Sequence, residues 1–432
     1  MEENQAYIPE GWTKILFGDA IQVVKNGFSG VQVNYITPFA VTRIETISNG
    51  NVDFGKIGFV NRIPEVYKLT NGDILLSNIN SVKHIGKIAY YDKDEILFHG
   101  MNLLLLRFHK EIDKKFIYYY LLTRKKWFEK EATQAINQAS INQNTLKKHL
   151  LLTIPKSTTE QTQIATILTK VDEAITKTEQ LIAKYTRIKT GLMQDLLTKG
   201  IDENGNIRSE ETHEFKDSAL GRIPKEWECE KLISYCQKIQ DGTHFSPKTD
   251  TNGKYKYVTS KNIRMGYLDL SNLEFINEEA HNKIYKRCSI KFGDVLLTKD
   301  GASTGNICLN NLKEEFSLLS SVALIRGKAG VLKNEFIFQF FMEESGQKSL
   351  IGQMSGNAIP RITLTKINNT FIKVPSFKEQ EVIVQKLKPQ DELINEEKIK
   401  LTKLQSLKTG LMQDLLSGKV RVNHLIKETE SV

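Results

Sequence analysis

Cysteine is scarce: the 432-residue chain has only Cys229, Cys236, Cys288 and Cys308, all in its second half. No two form a Cys-x-x-Cys pair, so neither a zinc site nor a disulfide framework is expected, and the thiols suit a reducing compartment. The nine prolines are never adjacent. That excludes the Asn/Asp-Pro-Pro-aromatic tract with which amino-methyltransferases hold a flipped base. The Gly-Lys pairs at 55–56, 86–87, 253–254, 327–328 and 418–419 are never followed by Ser or Thr, so no phosphate-cradling loop of the Walker type exists. No His-Glu-x-x-His occurs, and apolar runs such as Leu103 to Leu106 are far too short to cross a bilayer. Asp391, Glu396 and Lys398 can be aligned as a nuclease-like triplet, but they lie in a helical stretch where such letters are common. The residues describe a binder, not a catalyst.

Negative charge is also in deficit. Sixty Lys and Arg stand against 51 Asp and Glu, a net +9 and a pI near 9.0, which favours a polyanionic partner modestly. The 40% hydrophobic and 26% charged content is that of an ordinary soluble chain with room for two or three cores. The polar, acidic start Met1-Glu2-Glu3-Asn4-Gln5 resembles no export signal, so a cytoplasmic protein is expected.

What the chain has, it has twice. Lys189-Thr190-Gly191-Leu192-Met193-Gln194-Asp195-Leu196-Leu197 returns unchanged from Lys408 to Leu416. Each copy ends a run with the alternating 4-3 apolar spacing of a coiled-coil seam. The first seam is Ile164, Leu168, Val171, Ile175, Thr178, Ile182 and Tyr185. The second is Ile383, Leu387, Gln390, Ile394, Glu397, Leu401 and Leu404. Pro389 inside the second run should kink or restart that helix. Four further echoes keep the same order: Ile8-Pro9-Glu10-Gly11-Trp12 with Ile223-Pro224-Lys225-Glu226-Trp227, and Gly72-Asp73-Ile74-Leu75-Leu76-Ser77 with Gly293-Asp294-Val295-Leu296-Leu297-Thr298. The others are Ser140-Ile141…Thr145-Leu146 with Ala358-Ile359…Thr363-Leu364, and Pro155…Glu160-Gln161 with Pro375…Glu379-Gln380. Between these anchors the halves diverge.

Each half reads as a globular α+β part followed by a long helix. Short strands are expected at 72–79, 86–91, 102–108, 293–299, 305–309 and 320–326, and helices at 115–132 and 334–353. This gives a first globular domain at 1–154, a spacer helix at 155–198, a linker at 199–222, a second domain at 223–374, a second spacer at 375–420 and a tail at 421–432. Two equal helices in one chain can pair antiparallel, an intramolecular pseudo-twofold.

Polar, glycine-punctuated loops on the strand scaffold could meet base edges and phosphates. In the first half these offer Lys25, Asn26, Arg43, Asn78, Asn80, Lys83 and His84. In the second they offer Thr243, His244, Ser246, Lys261, Asn262, Lys299, Asp300, Ser303 and Thr304. Surfaces identical in both copies would suit two copies of one protein partner. The candidates there are Leu192, Met193, Leu196 and Leu197 with Leu411, Met412, Leu415 and Leu416, and Glu160 and Gln161 with Glu379 and Gln380.

Ile-Pro-x-x-Trp opening each half, Gly-Asp-Ile/Val-Leu-Leu-Ser/Thr within it, Pro…Glu-Gln at the helix start and Gly-Leu-Met-Gln-Asp-Leu-Leu at its end together resemble the specificity subunit of type I restriction-modification systems, over the whole chain. The resemblance implies a non-catalytic subunit with two target-recognition domains, each reading one half of a split, asymmetric DNA site, with the helices fixing the gap. It implies double-stranded DNA, two modification subunits and ATP-dependent restriction subunits as partners. No cofactor is then expected in this chain, since S-adenosyl-methionine, ATP and Mg belong to those partners.

Overall fold

In the computed structural model, residues 8–48, 50–81, 84–135, 138–250, 252–352 and 361–426 are described. The chain divides into two units that cut across the sequence halves: Met1–Glu179 with Ile399–Val432, and Gln180–Lys398. Each unit thus holds one globular part, the start of the helix that follows it, and the end of the other long helix.

In unit 1 the frame is β1 (Trp12–Leu16), β2 (Ile21–Asn26), β3 (Ile74–Ser77), β4 (Ile88–Tyr90), β5 (Leu103–Phe108), α1 (Lys114–Leu122), α2 (Gln143–His149), β6 (Leu151–Pro155) and the start of α3 (Thr158–Leu196). The main sheet runs β2-β5-β3-β4 and continues into the short strands Asn51–Val52 and Ile47–Ser48. The unbroken apolar letters of β3 and β5 follow from a sheet covered on both faces. Ile74, Leu76, Leu104 and Leu106 enter the large core, while Leu75, Leu103 and Leu105 enter a second one on the other face. β1 pairs antiparallel with β6, Trp12 opposite Pro155, which brings the two ends of the globular part together just before α3.

Unit 2 repeats this frame with β7 (Glu228–Lys231), β8 (Cys236–Asp241), β9 (Val295–Thr298), β10 (Ile307–Leu309), β11 (Val322–Gly327), α4 (Asn334–Met342), α5 (Leu364–Asn369), β12 (Phe371–Val374) and the start of α6 (Phe377–Leu415). Its sheet order, β8-β11-β9-β10, matches β2-β5-β3-β4. β7 pairs with β12 as β1 does with β6. The architecture is α+β with an internal repeat.

The expected helices at 115–132 and 334–353 are each broken in two. Lys125–Glu131 follows α1 as a separate helix, and Glu344–Ile351 follows α4. At the second break Glu343 leaves helical geometry and its carboxylate accepts the Ser345 and Gly346 amides, the N-cap of a new helix. Pro389 does not restart α6: the helix runs unbroken over 39 residues, as α3 does. Pro389 and Gln385, whose carbonyl would have received the missing amide, are both exposed, so water can serve that carbonyl. Every predicted seam position is buried or half-buried. The stretch 199–222 is not a slack linker either. Ile201 is part of the unit 2 core, Asp202 closes a turn on Asn204 and Asn206, and Phe215–Ser218 pairs with Gly221–Pro224.

Candidate nucleic-acid interface and the joints beneath it

The repeated anchors turn out to be joints. In unit 1 the Glu160 carboxylate is 3% exposed and accepts Arg421 Nε at 2.7 Å, Arg421 NH2 at 2.9 Å and Trp12 Nε1 at 3.4 Å. In unit 2 Glu379 accepts Arg208 NH1 at 2.5 Å, Arg208 NH2 at 3.2 Å, Trp227 Nε1 at 3.1 Å and the Ile201 amide at 2.8 Å. The next residue completes the joint. Gln161 accepts the Asp113 amide and donates to the Pro155 carbonyl, and Gln380 accepts the Lys333 amide and donates to the Pro375 and Val331 carbonyls.

One level up, Asp172 takes Lys408 Nζ at 2.6 Å and the Tyr119 hydroxyl at 2.8 Å. Asp391 takes Lys189 Nζ at 2.6 Å and Gln339 Nε2 at 2.7 Å. Asp391 is therefore a structural partner and not part of a nuclease centre. In unit 1, Glu160 with Arg421 and Asp172 with Lys408 run in opposite senses, so α3 and α6 lie antiparallel there. Asp391 with Lys189 and Glu379 with Arg208 repeat that sense in unit 2. The Gly-Asp pair of each sheet is a further joint. Asp73 holds Arg107 through bonds of 2.8 and 2.7 Å, and Asp294 holds Arg326 through bonds of 2.7 and 2.5 Å. These two-pronged, charge-assisted pairs lift both guanidinium groups above their ordinary pKa.

This geometry corrects the expected protein-contact surface. Glu160, Gln161, Glu379 and Gln380 spend their polar atoms inside their own units. Met193, Leu196 and Leu197 are buried in the unit 2 core, and Leu415 and Leu416 in that of unit 1. Leu192, Leu411 and Met412 are half-buried against the same cores. The nonapeptide is apolar because it closes a core, which explains why its patch is wider than a coil seam needs.

Above the joints the two units differ. At the end of β2, Gly27 lies so close to the neighbouring chain that a Cβ would sit 1.7 Å from the Gly100 carbonyl; Gly242 at the end of β8 has the same relation to Leu318, at 1.9 Å. Only glycine fits there, so Asn26-Gly27 and Asp241-Gly242 are one more echo, too short to see in the sequence. The Ile141 amide bonds the Asn78 carbonyl, and the Ile362 amide bonds that of Lys299. Ile141 is thereby equivalent to Ile362, and the N-cap Asn142 to Thr363. The sequence pairing of Ile141 with Ile359 was three residues out of register, and Ala358 and Ile359 lie outside the described residues.

In unit 1 these residues border an open cleft of about 920 Å³ whose lining includes Asn26, Asn78, Asn102, Ser140, Asn142 and Lys148. Asn102, with φ +64°, is the one non-glycine left-handed residue described, a conformation asparagine tolerates better than most. Of the predicted set, Asn26 and Asn78 meet in this cleft. Asn80 instead braces Ser77 and Ser81. Lys25 donates to the Val66 carbonyl above the Tyr67 ring, exposed Arg43 pairs with Glu45, and half-buried His84 sits in the turn after Ser81. Lys83 lies outside the described residues. Asn102, Ser140, Asn142 and Lys148 also line the cleft; of these only Ser140 stands in a repeated motif, and loop composition singled out none of them for DNA.

In unit 2 the three predicted loops do converge, around Ser320 and Ser321. Ser320 donates to the Thr243 carbonyl, Ser321 accepts the Ser260 amide, and the Lys299 amide bonds the Ser321 carbonyl. Their side chains correct the prediction in part. Lys299 is 2% exposed, with Nζ 2.8 Å from Asp300 and 3.5 Å from the equally buried Asp241. Such an ammonium is spent on its own carboxylates and presents nothing to phosphate. Asn262 is buried too, accepting the Thr259 amide and donating to the Asp269 and Asn272 carbonyls. Thr243 is buried and caps Phe245. His244, Ser246 and Lys261 are exposed; Asp300, Ser303 and Thr304 are half-buried. Arg287 and Arg361, absent from the predicted set, reach Asp241 at 2.9 Å and Asp300 at 3.0 Å.

Residues 9–186 and 224–405 each match the type I restriction modification DNA specificity domain. The chain is 33% identical over 435 residues to the putative type I restriction enzyme MjaX specificity subunit of Methanocaldococcus jannaschii, covering 96% of this chain and 95% of that one. It is 26% identical to the MjaVIII specificity subunit of the same organism, over 97% and 95%. The crystal structure of the type I restriction-modification S subunit from M. genitalium superimposes with a TM-score of 0.63 at 19% identity, covering 96% of this chain and 98% of that chain. With two matched domains, a shared frame and a relative of this identity along nearly its whole length, the chain belongs to the type I restriction-modification specificity subunits, the non-catalytic DNA-recognition components of those systems.

Proposed function

We propose that the two globular parts, residues 1–154 and 223–374, are target-recognition domains that each read one half of a split, asymmetric DNA site. The observation that carries this reading is the contrast between like frames and unlike rims. Asn26, Asn78 and Ser140 border the unit 1 cleft; Asp241, Lys299 and Arg361 stand in the equivalent places in unit 2. A pseudo-symmetric scaffold with different contact residues fits a site whose halves differ. The helices α3 and α6, each shared between the units, would set the interval between half-sites, as half-site spacing mirrors protein geometry in other two-headed readers. Two modest readers on one chain also make the second engagement intramolecular, which raises affinity without new contacts.

The same reading gives the chain two modification subunits, which would use S-adenosyl-methionine, and restriction subunits, which would use ATP and Mg, with no cofactor of its own and a cytoplasmic setting. Ile188 and Leu407, at matching helix positions 219 apart, are 40% and 50% exposed. A repeated exposed apolar residue beside half-buried Leu192 and Leu411 suits two copies of one partner better than the buried leucines do. Exchanging residues 13–150 for those of a relative tests the division of labour. Sequencing of methylated adenines should show one half-site changed, with the other half and the gap intact. A change in both halves refutes it.

A further inference from the structure

Asn78 follows β3 in the lining of the unit 1 cleft and is 6% exposed. Its backbone is pinned by the Ile141 amide, and its side-chain Nδ2 donates to the Ile141 carbonyl at 3.4 Å. This fixes which way the amide faces, because the reversed orientation would set two carbonyl oxygens against each other. The free end is therefore Oδ1, an acceptor, buried and without a hydrogen bond among the described residues. An unpaired buried acceptor on a residue that lines an open, polar cleft is costly until water or a ligand supplies the donor.

Of the groups that bases present in the major groove, only adenine N6 and cytosine N4 are donors. Exposed Asn26, on the same cleft, can add a donor toward adenine N7, and Lys148 on its lining carries a charge suited to phosphate. Unit 2 has no counterpart, since Lys299 in the equivalent position is already saturated by Asp241 and Asp300. We infer that Asn78 Oδ1 accepts the exocyclic amine of an adenine or a cytosine in the half-site read by the first domain, making Asn78 with Asn26 the specificity-determining pair at one base position. This rests on the DNA-reading function proposed above.

The test compares methylated adenines in cells carrying the full-length chain or Asn78→Ala, each with its modification partners. The wild type should define a bipartite site. The variant should lose about 5- to 150-fold in discrimination at one base pair of one half-site, with the other half unchanged. An unchanged motif overturns the inference alone, as does relaxation confined to the other half-site. A wild type that defines no bipartite site overturns the DNA-reading proposal with it. Should Asn78→Ala abolish methylation altogether, Asn26→Ala, exposed and outside the cores, must relax the same half-site by itself. If it leaves the motif intact, the inference falls.

Discussion

Glu379 offers the sharpest test of the joints. Its side chain and that of Arg208 are each 9% exposed, and the carboxylate serves four donors: two on Arg208, one on Trp227 and the Ile201 amide. Glu379→Ala leaves a buried guanidinium, an indole N–H and a backbone amide without their acceptor. Breaking a buried pair from one side costs about 3–5 kcal/mol. Glu379→Gln keeps an acceptor for Trp227 and Ile201 and loses the charge, so a cost of about 1.5–3 kcal/mol is expected, the worth of a charge-assisted bond. Combining Arg208→Met with Glu379→Leu removes the stranded charge, and the double variant should be more stable than Glu379→Ala. A chain of two units need not unfold in one step, so the local measurement is hydrogen exchange of the Ile201 amide alongside fluorescence of Trp227. Exchange at Ile201 should accelerate in Glu379→Ala while the Asp113 amide, bonded to Gln161 in unit 1, stays protected. If Glu379→Ala costs under about 1 kcal/mol, or if both amides accelerate together, the joint is not the local clasp described.

Two further outcomes follow from buried titratable groups. Burial pushes the imidazole of His99 down to about 4, against about 6.5 in an unfolded chain. Between those values the unfolded chain holds a proton that the folded one does not. Its contribution is therefore intact above pH 6.5 and shrinks as pH falls to 4, by about 3 kcal/mol. His99→Gln, compared with wild type in denaturant unfolding at pH 7 and pH 4, should lose that much less on acidification; parallel losses refute the assignment. Burial also pushes the Cys236 and Cys308 thiols up to about 12 and that of Cys288 up to about 11, so at pH 8 these remain protonated and inert. A chromogenic disulfide should label only half-buried Cys229 promptly in the native protein and all four in denaturant. Prompt labelling of two or more would contradict the packing.

The sequence made the repeat, the α+β frame and both long helices legible, because those depend on periodicity and on letters that recur. It did not reveal what the recurring letters do. Glu160 and Glu379 stand out as a pair, but their partners do not. Arg421 follows the first nonapeptide's second copy closely, whereas Arg208 comes six residues later than that register predicts, after the turn closed by Asp202. An interaction bridging such distances leaves no local pattern. Lys299 misled for the opposite reason: a lysine in a Gly-rich loop reads as a phosphate contact, and only the tertiary fold brings Asp241 from 58 positions away to neutralise it. The candidate sites were half legible because loop composition predicts polarity, while exposure depends on neighbours remote in the chain.

The pattern of sameness and difference also bears on how such a chain can change its target. Substitutions at Glu379 or Arg208 disturb a buried pair that holds helix to domain, so variation there is expensive. Asn26 and Ser140 are exposed or half-exposed at the rim, and Asp241, Lys299 and Arg361 show that the equivalent positions accept quite different residues on the same backbone. The Gly27 and Gly242 contacts fix the chain path beneath both rims regardless of what the rims display. On the proposed reading, specificity would then change through a few side chains of one domain without moving the joints, the sheets or the other domain.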